Sequence, residues 1–125
     1  MATVNVTSSE FEELVLKDGI IFVDFWDAWC GPCRMFAPIF ESASNRFPEL
    51  TFAKVDTDTE TDLANVASIT SIPTLMAFRD GILVFRQAGA MPGPSFEELI
   101  QSVKNLDMNS IKEEIAKEEV QRLAD

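Results

Sequence analysis

Ile20-Ile21-Phe22-Val23-Asp24-Phe25-Trp26-Asp27-Ala28-Trp29-Cys30-Gly31-Pro32-Cys33 is the stretch from which the rest of the sequence can be placed. Its first half is apolar on both alternating faces, as expected of a strand covered on two sides in a layered α/β sheet. Its second half leads into Met35, Phe36, Ile39, Phe40, Ala43 and Phe47, which recur with a helical period. Pro32 falls in the first turn of that helix, where its missing N–H would have no partner. Pro38 interrupts the same helix and predicts a kink.

Working outward, Val4 to Val6 reads as a short strand. Thr7 with Glu10, or Ser9 with Glu12, offers a capping box for a helix that stops at Asp18-Gly19. Thr51 to Asp56 reads as a third strand and Asp62 to Ala67 as a short helix. Leu75 to Arg79 and Ile82 to Ala88, separated by Asp80-Gly81, form the strongest hairpin signal in the chain. Ser95 with Glu98 predicts the start of a helix carrying Phe96, Leu99, Ile100, Val103 and Leu106 on one face. The order β-α-β-α-β-α-β-β-α implies an α/β fold, a mixed sheet sandwiched between helices.

Residues 107–125 differ in character, with six acids and three bases. Ser110 with Glu113 can cap a helix there, but Met108, Ile111 and Ile115 share a stripe from which Val120 and Leu123 drift away. A helical, acidic extension with partial docking is expected, following a domain of residues 1–106.

The chain has 125 residues, 46% of them apolar, enough for one domain with a buried core. Its formal net charge of -11 disfavours nucleic acid and anionic membranes, which need clustered cations. No apolar run approaches the roughly 18 residues of a membrane span, and the first residues do not read as a secretory signal. A cytoplasmic protein is the expectation.

Two cysteines, three positions apart, are the whole cysteine inventory, and histidine is absent. A purely structural disulfide would close too small a loop to gain much chain entropy. Half of a shared zinc site would have to be completed by carboxylates. A reversible dithiol is the reading the pair favours. Cys30 would stand at the helix N-terminus, where free amide N–H groups and the helix dipole favour a thiolate, making it the nucleophile. Cys33, one turn deeper, would be shielded and would resolve the mixed disulfide. Asp24, in the centre of the most apolar strand, should be buried with a raised pKa. A cis bond before Pro73 would turn the backbone of Ile72 toward the cysteines.

Phe22-Val23-Asp24-Phe25-Trp26 running into Trp29-Cys30-Gly31-Pro32-Cys33, with Ser71-Ile72-Pro73-Thr74 later and Gly81 and Gly89 beyond, resembles the thioredoxin family over residues 4 to 106. The resemblance implies the thioredoxin fold and a general dithiol:disulfide oxidoreductase. It implies Asp24 as the proton acceptor that activates Cys33, and Lys54 as that aspartate's neighbour. It further implies an apolar collar of Trp29, Ile72, Gly89 and Ala90 around Cys30, strand-like pairing of substrate at Ile72-Pro73, and tuning of redox direction by Gly31-Pro32. Trp26 is expected to pack under the motif. Arg34 stands where many members have lysine and Ser71 where some have glycine.

Beyond the redox-active disulfide no bound cofactor or metal is implied. Electrons would come from NADPH through a flavin-containing thioredoxin reductase and pass to disulfide-containing target proteins, the chain acting as a monomer. The alternative is a binding subunit that uses the same fold, or its extra helix, as a docking surface without redox turnover.

Overall fold

The computed structural model describes residues 2–125. Five strands form one sheet in the order β1-β3-β2-β4-β5: β1 (Thr3–Asn5), β2 (Ile20–Trp26), β3 (Thr51–Asp56), β4 (Thr74–Arg79) and β5 (Ile82–Ala88). β2 is central, parallel to β3 on one edge and antiparallel to β4 on the other. The helices are α1 (Ser8–Val15), α2 (Gly31–Arg46), α3 (Thr61–Val66), α4 (Gly93–Lys104) and α5 (Met108–Ala124). The expected mixed α/β sandwich and the extra C-terminal helix are both present.

Side chains alternate across β2, so one strand builds two cores. Phe22 faces α2 and α4, joining Phe36, Phe40, Phe52, Phe96 and Ile100 in one buried cluster. Ile21, Val23 and Phe25 face α1 and α3 and pack with Val15, Val55 and Leu63. Phe96 ties the first cluster together, with ring centroids 5.3 Å from Phe36, 5.5 Å from Phe22 and 5.8 Å from Phe40.

Local differences from the sequence reading have identifiable causes. β1 ends at Asn5, although the Val6 N–H still donates to the Lys54 carbonyl at 2.9 Å. Thr7 is the α1 N-cap: the Glu10 carboxylate accepts its backbone N–H, while Ser9 lies within the helix. α4 begins at Gly93, two residues before Ser95, because Pro94 fits a first helical turn without needing a hydrogen bond. Ser95 is therefore inside the helix and caps nothing. Asp107 caps α5 by accepting the Ser110 N–H, so the box expected at Ser110 and Glu113 is also not formed. α3 lies one residue earlier than read, and α2 continues unbroken across Pro38.

At the end of α4, Arg79 from the end of β4 gathers carbonyls of the last helical turn and of the residues just beyond it. The guanidinium donates to the carbonyls of Val103 at 2.8 Å and Leu106 at 2.9 Å. Asp80 and Gly81 both take positive φ, +53° and +81°, as a tight two-residue hairpin requires. In α5 only Met108 is buried, and every residue from Lys112 onward is exposed.

Phe96→Ala should cost about 3–5 kcal/mol of stability, because it empties the centre of the aromatic cluster. Urea denaturation would measure this.

Candidate active site

The site is built where β2 hands over to α2. Asp27 Oδ1 accepts the Trp29 N–H at 2.8 Å, an Asx-type turn that shapes the connection. Arg34 Nη1 donates to the Ala28 carbonyl at 3.0 Å and clasps that turn from inside the helix. Cys30 is the N-cap of α2, and its Sγ accepts the Cys33 N–H at 3.1 Å. The sulfur thus takes up one of the amide groups that a helix start leaves unpaired, and it sits at the positive end of the dipole.

Cys30 and Cys33 are joined in a disulfide with Cα atoms 5.2 Å apart. Cys30 is part-exposed, whereas Cys33 is 3% exposed. Gly31 and Pro32 fill the first turn between them. Trp29 beside them is 85% exposed, far beyond what packing would leave for an indole.

The opposite rim comes from the start of β4. The Ile72-Pro73 peptide bond is cis. The Ile72 carbonyl oxygen lies 3.5 Å from Cys30 Sγ. Thr74 Oγ1 donates to the Ser71 carbonyl at 2.6 Å, and the Gly89 N–H donates to the Pro73 carbonyl at 2.7 Å. Gly89, with φ +99°, and Ala90 are exposed where β5 ends.

Asp24 is 1% exposed, and among the described residues its carboxylate oxygens have no hydrogen-bond partner. Alternation along β2 turns it to the α2 side of the sheet, the face that Phe22 shares. Burial pushes its pKa up to about 7, and the nearby Lys54 charge lowers it only in part. Lys54 is the register partner of Asp24 on β3, but its ammonium lies over the Trp26 ring, 4.7 Å from the centroid. Trp26 is half-buried, and among the described residues its ring N–H is buried without a partner. Among the described residues no three Cys, Asp or Glu side chains converge as a metal-binding group.

Sequence reasoning missed the clasps: Asp27, the Arg34 side chain, and the Gly89 N–H that holds Pro73. Only Asp27 carried a local signal, since an aspartate two residues before an unpaired N–H is an Asx-turn pattern.

The thioredoxin family profile matches residues 2–105. The chain belongs to the thioredoxin family. The thioredoxin of Mycobacterium tuberculosis is 43% identical over 109 residues, which cover 85% of this chain and 94% of that one. A Streptomyces coelicolor relative is 38% identical over 120 residues, covering 96% of this chain and 90% of its own. Among solved structures, Fasciola hepatica thioredoxin superposes with a TM-score of 0.72 at 38% identity, covering 80% of this chain and 97% of its own. With the Cys30–Cys33 disulfide in place, this member of the thioredoxin family is a dithiol–disulfide oxidoreductase with protein-disulfide reductase activity.

Asp24 makes stability depend on pH in a definite direction. Below about pH 4 the carboxyl is protonated in both folded and unfolded chains. Between that point and about 7 the folded chain keeps a proton the unfolded chain has released, so stability falls as pH rises. Asp24 alone should cost the oxidised protein on the order of 4 kcal/mol across this range, and Asp24→Asn should remove that part of the pH dependence. Urea titrations at a series of pH values would show this.

Proposed function

We propose that the chain is a general reductant of protein disulfides in which Cys30 attacks and Cys33 resolves. The observation that carries this assignment is the asymmetry of the pair: Cys30 is part-exposed and its Sγ accepts an amide N–H at a helix start, while Cys33 is buried. In the reduced state the Cys30 thiolate attacks a substrate disulfide, forming a Cys30–substrate bond and expelling one substrate thiolate. Cys33 then loses its proton and attacks Cys30 Sγ, expelling the second substrate thiolate. The Cys30–Cys33 disulfide forms, and the two electrons leave with the reduced substrate.

Asp24 is the group we assign to take the Cys33 proton. Its raised pKa gives it proton affinity near neutrality that an ordinary carboxylate lacks. Lys54 tempers that affinity. Trp29, Ile72, Gly89 and Ala90 form the apolar rim on which substrate rests, Gly31 and Pro32 let it approach the sulfur, and the Ile72-Pro73 backbone offers an edge for an extended peptide. The oxidised pair would be returned to the dithiol by a flavin-containing thioredoxin reductase drawing on NADPH. A reducing cytoplasm is the compartment that suits this cycle, with the chain working as a monomer.

Residues 1–106 are the catalytic unit in this reading, and 107–125 are an appendage. Support comes from the exposure of every α5 residue beyond Ile111. Truncation after Leu106 removes the buried Met108 but no residue assigned to the site, and should therefore leave insulin reduction within roughly twofold of the full chain.

The roles of the sulfurs are tested by single substitutions. Cys30→Ser should abolish dithiothreitol-driven insulin reduction, and a rate equal to the native one would refute the redox reading. Cys33→Ser should accumulate a covalent adduct with substrate at Cys30. An adduct formed through Cys33 in the Cys30→Ser protein would reverse the assignment.

A further inference from the structure

Residues 67 to 73 connect α3 to β4 and bring Ser71, Ile72 and Pro73 to the rim of the disulfide. α3 ends where Ser68 takes φ +56°, which leaves the carbonyls of Ala67 and Ser68 directed past the helix end. Arg86, on edge strand β5, receives both. Its Nη1 donates to the Ala67 carbonyl at 2.6 Å and its Nη2 to the Ser68 carbonyl at 2.7 Å. Farther along the chain from the same strand, the Gly89 N–H holds the Pro73 carbonyl. The end of the sheet therefore grips both ends of the segment whose Ile72 carbonyl stands over Cys30.

We propose that Arg86 is a positioning residue for protein substrates, acting through the Ala67–Pro73 segment without touching sulfur. The proposal rests on the reading that the Ile72-Pro73 edge presents substrate. An extended peptide pairs with a backbone edge only if the edge is already in place, since any ordering left undone is charged against binding. A guanidinium is a planar fork suited to two neighbouring oxygens, whereas a lysine ammonium is a point charge on a flexible stem. Its charge also lies at the C-terminal end of α3, where the dipole favours a cation. Both hydrogen bonds are solvent-exposed, so their effect on global stability is small. What they supply is placement of the segment.

The test compares Arg86→Ala and Arg86→Lys with the native protein in insulin reduction as a function of insulin concentration. A small aromatic disulfide, which has no backbone to pair with an edge, serves as the second substrate. Arg86→Ala should raise KM for insulin about five- to tenfold with kcat nearly unchanged, and leave the small-disulfide rate as it was. Arg86→Lys should fall between the two proteins. An unchanged KM in folded Arg86→Ala overturns the proposal, as does an equal loss with both substrates. If Arg86→Ala does not fold, Arg86→Lys decides, and a native KM in that variant overturns the proposal. A peptide disulfide with its backbone N-methylated beside the cysteine separates the two levels of inference. If the native protein shows the same KM for it as for the unmethylated peptide, the substrate-edge reading fails. If methylation raises KM while Arg86→Ala leaves KM for insulin unchanged, the role given to Arg86 fails alone.

Discussion

β2 is hydrogen-bonded along both edges and buried on both faces, and the catalytic geometry depends on that double enclosure. A strand so held has no freedom at its carboxyl end, so the chain must leave the sheet at a fixed point. It leaves through a turn fastened by Asp27 and enters α2 at Cys30. Rigidity of the strand becomes position of the sulfur. The reactive atom is placed by packing several residues away, and the helix start adds amide hydrogen bonding without further ordering.

The same enclosure makes Asp24 costly. A buried carboxylate without a hydrogen-bond partner among the described residues is a liability for folding whenever it is ionised. Its position makes physical sense if the protein needs a proton acceptor on the α2 side of the sheet with affinity tuned near neutrality. Stability given up at high pH is then the counterpart of proton chemistry at Cys33. Lys54 moderates the effect from the neighbouring strand while its ammonium rests on Trp26.

Much of the architecture was legible in the sequence because it rests on local rules. The doubly apolar run from Ile20 to Trp26, the Asp80-Gly81 turn and the Pro32 helix start each carry their own physical signature. The cysteine pair at the helix start, the burial of Asp24 and the cis bond before Pro73 were also legible, though Lys54, the collar and the substrate edge came from resemblance and not from any pattern of their own. Helix starts were misplaced where two options competed within a few residues. Ser95 lost to Gly93-Pro94, and Ser110 lost to Asp107, because only the folded chain shows which side chain reaches a free N–H. The long-range clasps were invisible for a related reason. Arg79 and Arg86 look like ordinary strand-end and edge-strand cations in sequence, and only the hairpin's position against α4 and the α3–β4 segment reveals the carbonyls they hold.

The claim at the centre of this account is that the helix start makes Cys30, and not Cys33, the nucleophile. The most direct measurement is limited alkylation of the reduced protein at neutral pH with less than one equivalent of iodoacetamide, followed by peptide mapping. The account predicts modification at Cys30 with Cys33 left free. Preferential modification of Cys33, or equal labelling of both, would contradict it.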